Sequence, residues 1–269
     1  MPEAPEARTV ADKLLWLQNC VLVSWNRLDG TPGKQLQDLT QSQITRVWSY
    51  GKKVIISMSD DCHLVFELGM YGRFTYSQEP ETRITLKVKD STGVTKDVYW
   101  GYMCVNGAAC HAFSTEKLKE WLSNYGPDIL NNGVSSETWK SIWRNKKLAK
   151  WNLCKALLDQ HVVAGVGNYL KSEILYYSGL HPGRTVDSLS DDELERLRLV
   201  THHIIYVSYT YGGLTLESFI SPDGSKGEYP AAVYGHINQR GNRDNYGNII
   251  KRSQEFDART TSYCPNIQK

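Results

Sequence analysis

The sequence predicts an α+β protein in two parts: a leading helix with a mainly β N-terminal half, then a helical C-terminal half. Three observations carry this expectation. Strand-like apolar runs bounded by turn residues fill the first hundred positions, the pattern turns helical around Ser114, and from Ser136 onward it stays helical with few interruptions. With 269 residues, 41% of them hydrophobic, the chain can bury two cores. Asn131 to Ser135 marks the expected boundary, giving parts 1–133 and 134–269.

Each element follows from local residues. The opening segment carries Pro2, Pro5, Glu3 and Glu6 ahead of Ala7, Val10, Ala11, Leu14 and Leu15 on one helical face, so it reads as an amphipathic helix with a favourable first turn. Cys20 to Trp25 and Ile44 to Tyr50 read as strands, and Gly51-Lys52-Lys53 leads into the β run Val54 to Met58. Ser59-Asp60-Asp61 supplies a turn, and His63 to Leu68 returns as the partner strand of a hairpin. In Leu68-Gly69-Met70-Tyr71-Gly72-Arg73 two glycines bracket a flexible side chain and an aromatic. Such a loop either packs back on the core or presents Met70 and Tyr71 as a wedge between stacked bases. Arg83 to Lys89 and Val94 to Val105, separated by the turn Asp90 to Gly93, extend the β half. Leu118, Trp121 and Leu122 then form a helical core stripe, closed by Tyr125-Gly126-Pro127-Asp128. Ser190-Asp191-Asp192-Glu193 is a capping box that opens a helix bearing Leu194, Leu197, Ile204 and Ile205.

Composition excludes several classes. No apolar run reaches the roughly 20 residues of a membrane helix, and the charged N-terminus lacks the apolar stretch of a secretory signal. An intracellular location, nucleus or cytoplasm, follows as the default. The six cysteines at 20, 62, 104, 110, 154 and 264 contain no C-x-x-C pair, hence neither a zinc-ligand spacing nor a redox motif. A net charge of +2 does not announce a nucleic-acid partner, so any such claim rests on local clusters. Two exist: Lys140 to Lys155, with Trp139, Trp143 and Trp151 interleaved, and a tail carrying Arg240, Arg243, Lys251, Arg252, Arg259 and Lys269. Each fits a solvated face or a phosphate-binding patch.

Two stretches point to chemistry. If Met1 is removed, Pro2 becomes a secondary α-amine beside the Glu3 carboxylate. An α-amino group titrates near about 7.7–8.0, against about 10.4 for lysine, so far more of it is a free nucleophile near neutrality. Attack on a sugar aldehyde carbon gives an iminium, an electron sink that permits proton abstraction and loss of phosphate, with Glu3 as the proton shuttle. Read locally, the same residues are an ordinary helix opening. Lys52, where a strand begins, fits a phosphate or carboxylate ligand as well as an exposed strand end. The second stretch, Lys155 to Leu175, reads as a helix, a glycine-punctuated turn and a second helix opening at Gly167-Asn168. The bare N–H groups there favour an anion, and Asn168 adds a side-chain donor; a structural helix–turn–helix with an asparagine cap is the plain alternative.

The order of Pro2-Glu3 with Pro5-Glu6, Gly51-Lys52, Leu68-Gly69-Met70, Gly126-Pro127-Asp128, and Leu157-Leu158-Asp159-Gln160 through Gly165-Val166-Gly167-Asn168 to Glu173-Ile174-Leu175 resembles the formamidopyrimidine-DNA glycosylase/endonuclease VIII family. The resemblance runs from residue 2 to the C-terminus. It implies a β-sandwich catalytic domain with the leading helix over 1–133. Over 134–269 it implies a DNA-binding domain with a helix-two-turn-helix at about 147–178 and a β-hairpin finger at about 232–269. The implied activity is a bifunctional DNA glycosylase (N-glycosyl hydrolase) and AP lyase. It would excise oxidised bases in base excision repair through an N-terminal proline Schiff base with β- and δ-elimination. Pro2, Glu3, Lys52 and Arg259 would be catalytic, Arg259 being the family's finger arginine that grips the phosphates flanking the lesion. Asn168, Gly167, Lys155, Glu6, Met70 and Tyr71 would contact DNA. The implied partner is damaged double-stranded DNA, with single-stranded DNA as a second form; the protein would act as a monomer, with no membrane and no cofactor. In relatives with a loop like Thr215 to Tyr229, that loop closes over the extruded base.

Departures from the family pattern sharpen the expectation. A zinc finger needs four ligands in two close pairs; here Cys264 is followed three positions later by Ile267, and His236 is a lone candidate, so a zincless finger is expected, with two strands joined around Asn245-Tyr246-Gly247-Asn248. The family's arginine- and phenylalanine-bearing loop would fall at about Cys104 to Phe113, where no arginine appears, and Glu67 stands where many relatives carry histidine. Void filling therefore falls mainly to Met70 and Tyr71. The alternative function is a non-catalytic helix-two-turn-helix protein that binds damaged or abasic DNA.

Overall fold

The computed structural model describes residues 1–27, 39–103, 107–215, 219–234 and 242–269. Helix α1 (Ala4–Lys13) has Glu3 at its N-cap and Pro5 in its first turn, and it buries Ala7, Val10 and Ala11. Eight strands follow: β1 (Val21–Arg27), β2 (Ile44–Tyr50), β3 (Lys53–Met58), β4 (His63–Leu68), β5 (Gly72–Thr75), β6 (Thr82–Lys89), β7 (Thr95–Tyr102) and β8 (Ala108–Phe113). They form two antiparallel four-stranded sheets, ordered β1-β6-β7-β5 and β2-β3-β4-β8. Alternate residues of both sheets meet in one apolar core with Leu14 and Leu17, as a two-layer sandwich requires. Phe66 lies at its centre, its ring edge-on to Phe74 at 4.9 Å and tilted against Trp100 at 5.5 Å. The outer face of the second sheet is apolar too. Ile55 and Val65 are covered by Leu118, Trp121 and Leu122 of α2 (Thr115–Ser123), so every residue of β3 is buried.

The expected hairpin Val54 to Met58 with His63 to Leu68 is present in the register Ile56↔Leu64. Two elements differ from expectation. The strand expected to run to Val105 ends at Tyr102, and Ala108–Phe113, within the stretch taken for a loop, is β8 on the edge of β4. Ala-Ala-Cys-His-Ala carries no β-branched signal; backbone pairing with Leu64–Leu68 holds it extended.

The second unit is helical: α3 (Ile129–Asn132), α4 (Ser136–Trp143), α5 (Leu153–Leu158), α6 (Asn168–Tyr177) and α7 (Asp191–Thr210), then β9 (Lys251–Ser253) paired antiparallel with β10 (Thr261–Tyr263). The Ser190/Glu193 capping box opens α7 as expected. Two of the three tryptophans of the basic stretch Lys140 to Lys155 serve the core: Trp139 and Trp143 are buried, and the Trp139 indole donates to the Leu194 carbonyl at 3.0 Å, while Trp151 is half-buried. Several of its cations are paired as well, Lys140 and Arg144 with Asp191 at 3.2 and 2.7 Å and Lys150 with Asp187 at 2.8 Å.

The compact units are Met1–Asn124 with Thr215–Glu228, and Tyr125–Leu214 with Tyr229–Lys269. The division falls at Asn124/Tyr125, not at 133/134. Tyr125 to Asn132 packs on the second unit because the Gly126 amide donates to the Gln160 carbonyl at 2.8 Å and Asp128 bridges to Ala164. The approach needs glycine, since a Cβ at position 126 would lie 2.5 Å from the Val162 carbonyl. Thr215–Glu228 returns to the first unit, with Phe219 in its core and Asp223 paired to Lys13 at 2.6 Å.

Gly126→Ala should destabilise the protein by about 1–3 kcal/mol through overpacking, read from its urea midpoint; an unchanged midpoint would show that the close approach is dispensable. Arg184 forks onto Glu193 at 2.5 and 2.8 Å and holds its carboxyl down to about 2 from 4.5. This depressed carboxylate contributes stability that is fully present above about 4.5 and is lost as pH falls towards about 2. Acid unfolding of Glu193→Gln should accordingly depend less on pH across that window than that of the parent.

Candidate functional site

In the first unit, the residues singled out from sequence occupy three places. Pro2 precedes α1, and the Glu3 amide donates to the Glu6 carboxylate at 2.8 Å, closing the first turn on itself. Glu3 and Glu6 are both buried, at 3% and 0% exposure. Lys52 sits with Gly51 in the two-residue turn between β2 and β3. The positive φ of Gly51, 54°, suits the first position of a type II′ hairpin, where glycine carries no Cβ penalty. Helix α1 packs across these same two strands. Met70 and Tyr71 lie in the turn Gly69–Tyr71, where the chain crosses from the second sheet to the first. Gly69 takes φ 55°, and a Cβ on Gly72 would run into the Leu68 carbonyl, so the turn is short and forced outward. Met70 is exposed at its tip and Tyr71 half-buried. Nearby, Glu67 faces Lys53 at 3.8 Å and His111 at 4.0 Å.

In the second unit, the turn between α5 and α6 is organised by one side chain. Gln160 donates to the carbonyls of Leu158 and Val166, each at 2.9 Å, and accepts the Gly165 amide at 2.9 Å. Gly165 takes φ 94°, and Gly167 is the N-cap of α6 with no side chain of its own over the helix end. Asn168 begins α6, but its carboxamide is already engaged: Nδ2 donates to the Thr260 carbonyl at 3.0 Å and Oδ1 accepts from Lys171 at 2.9 Å. Asn168 is thereby brought together with the finger loop that carries Arg259. Lys155, on α5, lies with its ammonium 4.0 Å from the Trp151 ring centroid, a cation–π arrangement.

The finger contains the expected turn and a second strand pairing after it. Residues 235–241, which lead into the turn, lie outside the described residues, and β9 and β10, joined by residues 254–260, pair beyond it. Around Asn245–Asn248 the chain turns back as expected, with the bridge Arg243↔Ile249, the Asp244 amide donating to the Asn248 carbonyl at 2.9 Å and the Ile250 amide to the Asn242 carbonyl at 2.7 Å. Asp244 accounts for this turn: its carboxylate accepts the amides of Tyr246 and Asn248 at 2.9 and 2.8 Å and the Tyr176 hydroxyl at 2.9 Å. Loop 254–260 is tied to the helices at three places, through Asn152 to the Phe256 carbonyl, Lys171 to Asp257 at 2.7 Å, and Asn168 to Thr260. Arg259 is exposed on it. Cys264 is buried among Tyr176, Ala232, Val233, Ile250 and Ile267, an apolar setting that holds, among the described residues, no second thiolate or imidazole of a tetrahedral zinc site. His236, Arg240, and Cys104 with its two successors lie outside the described residues. Among the described residues no cluster of three His, Cys, Asp or Glu could hold a metal ion, and no helix is long and apolar enough to cross a membrane.

Sequence reasoning missed Lys171, Asp257 and the role of Glu173. Glu173 is fully buried and accepts three consecutive amides, Ala232, Val233 and Tyr234, at 2.7, 2.9 and 2.8 Å. Burial pushes its carboxyl up, against the pull of those donors. The available signal was a pair of opposite charges, Lys171 and Glu173, on either side of Ser172 in a helix whose other buried positions are tyrosines, leucines and an isoleucine.

Comparison with known proteins gives one pattern. Residues 1–97 match the formamidopyrimidine-DNA glycosylase N-terminal domain and residues 125–219 the formamidopyrimidine-DNA glycosylase H2TH domain. The formamidopyrimidine-DNA glycosylase of Rickettsia felis is 28% identical over 280 positions, covering 100% of this chain and 98% of that protein. That of Rickettsia conorii is 29% identical over 282 positions, covering 100% and 99%. Among solved structures, the MutM (Fpg) protein of Thermus thermophilus superposes with a TM-score of 0.85 at 26% identity, covering 99% of this chain and 98% of that one. Lactococcus lactis Fpg in complex with abasic-site DNA shares the fold with a TM-score of 0.85 at 22% identity, covering 99% of each chain.

The apolar burial of Cys264 leads to a direct expectation: metal analysis of the purified protein should find no stoichiometric zinc. One tightly held equivalent would overturn the reading of the finger.

Proposed function

The chain belongs to the formamidopyrimidine-DNA glycosylase and endonuclease VIII family and is a DNA glycosylase of DNA repair; on that premise we propose that it is bifunctional, removing an oxidised base from damaged DNA and then cleaving the strand as an AP lyase through Pro2. The reaction begins with extrusion of the damaged nucleotide, which costs a few kcal/mol and least where pairing is already weak. The Pro2 amine, free once Met1 is removed, attacks the anomeric carbon while the base leaves with a proton, and the sugar ring opens to an iminium between carbon and Pro2 nitrogen. That iminium acidifies the adjacent sugar carbon; loss of its proton expels the 3′ phosphate, and a second elimination expels the 5′ phosphate. Glu3 carries protons between these steps. Hydrolysis of the remaining imine restores the amine.

The other roles follow from charge and exposure. Lys52, on the β2–β3 turn, and Arg259, exposed on the finger loop, bind phosphates near the sugar. Gly167 and Asn168, at the N-terminus of α6, bring the positive end of a helix dipole to the backbone, and Lys155 adds a cation. Glu6 fixes the first turn of α1 so that Pro2 and Glu3 are presented together. Met70 and Tyr71 enter the duplex where the base has left.

The observation that carries this reading is the terminus. Pro2 directly precedes a helix whose first turn is pinned by Glu6, with the carboxylates of Glu3 and Glu6 both buried beside it. A protein that only binds DNA has no need of such a prepared terminus.

Borohydride reduction during turnover tests it. Met1-free protein with Pro2 intact should form a covalent adduct with damaged duplex, and Pro2→Gly should lose the glycosylase burst while still binding abasic DNA. Absence of an adduct, with specific binding retained and no strand cleavage, would instead leave a damage-binding protein. Affinity should also fall steeply with salt, as for any protein that neutralises several phosphates.

A further inference from the structure

Lys171 is a fully buried ammonium that the proposed chemistry does not use. Its three donors are all committed: to Asn168 Oδ1 at 2.9 Å, Asp257 Oδ2 at 2.7 Å and Thr261 Oγ1 at 2.8 Å. Asp257 is itself only 10% exposed, and its second oxygen accepts the backbone amide of Arg259 at 2.6 Å. Asn168 completes the circuit by donating to the carbonyl of Thr260, the residue after Arg259. These five hydrogen bonds form one network, three of them running from α6 to residues 257, 260 and 261 on either side of one exposed arginine.

We infer that Lys171 is a positioning residue: through Asp257 it sets the backbone of Arg259, and so determines where the guanidinium meets the DNA phosphates. This inference rests on the proposed phosphate role of Arg259. A buried ion pair is weak evidence for stability in itself, because the desolvation of both charges offsets their attraction; a fully satisfied one fixes geometry. Here the fixed geometry is that of a surface loop, residues 254–260, which contributes no helix or strand of its own. Without Lys171 the Asp257 carboxylate would stay buried without its cation, and the loop could relieve this only by moving Asp257, and Arg259 with it, towards water. Lys171 has no exposed surface with which to touch a phosphate.

The salt dependence of binding to a duplex carrying a tetrahydrofuran abasic analogue separates these roles. Removing one phosphate-binding cation lowers the slope of log affinity against log salt by about 1. Arg259→Ala should show that decrease together with weaker binding. Lys171→Met should show the same decrease, although it removes no group able to reach DNA, and Lys171→Arg should restore most of the slope. The double variant Lys171→Met/Arg259→Ala should match Arg259→Ala alone. Should Lys171→Met fold poorly, Asp257→Asn, which keeps the shape and the acceptor but discharges the pair, takes its place in the same cycle. An effect of Lys171→Met that persists undiminished in the Arg259→Ala background, or an unchanged slope in Lys171→Met, overturns the positioning role and leaves the phosphate role standing. An unchanged slope in Arg259→Ala overturns both.

Discussion

Two buried charges on one helix govern how the C-terminal unit is assembled. Lys171 and Glu173 stand on α6 with no exposed surface, and an ion in an apolar interior must find partners or lose its charge. Neither finds enough within its own helix. Glu173 takes the amides of Ala232, Val233 and Tyr234, and Lys171 takes Asp257 and Thr261. Positions about 60 to 90 residues later in the chain are thereby drawn onto α6, one on each side of the finger turn. Among the described residues the finger's strands β9 and β10 have three residues each, too few for an independent sheet, so their order comes from these attachments.

This dependence explains what could be read from the sequence and what could not. Strands β2, β3 and β4, the Ser190 capping box and the helix–turn–helix were legible because each announces itself locally, by apolar alternation, by a Ser-x-x-Glu spacing or by glycines at the turn. Strand β8 was not, because Ala108–Phe113 is extended only through its pairing with β4. The turn at Asn245–Asn248 was legible from its Asn-Tyr-Gly-Asn signal, but the pairing of Lys251–Ser253 with Thr261–Tyr263 was not, because no comparable turn signal marks the loop between them. Of the candidate site, the sequence named residues by type and motif but not their couplings. Asn168 looked like a free donor for phosphate, whereas its carboxamide already spans Thr260 and Lys171. A link between positions 171 and 257 leaves no local trace.

A common economy appears in how functional groups are prepared. Gln160 uses a single carboxamide to hold the turn before α6, Asp244 one carboxylate to hold the finger turn, and Glu6 one carboxylate to hold the amide of Glu3. In each case a side chain satisfies backbone groups that a loop would otherwise leave to water, which fixes the loop without lengthening it. Met70 is presented by steric means instead, through a glycine that cannot be replaced without striking the Leu68 carbonyl.

The chain passes between its two units three times, because Thr215–Glu228 belongs with residues 1–124 while both of its flanks belong elsewhere. Neither unit is therefore a continuous stretch of gene. A fragment ending at Asn124 would lack Phe219 from its core and Asp223 from Lys13, and the complementary fragment would carry those fourteen residues with their apolar anchor bare. The two halves cannot be shuffled as interchangeable cassettes in the way that beads on a linker can. Whatever grows or shrinks in that returning segment answers to the first unit's core through Phe219, although the second unit lies on both sides of it in the chain.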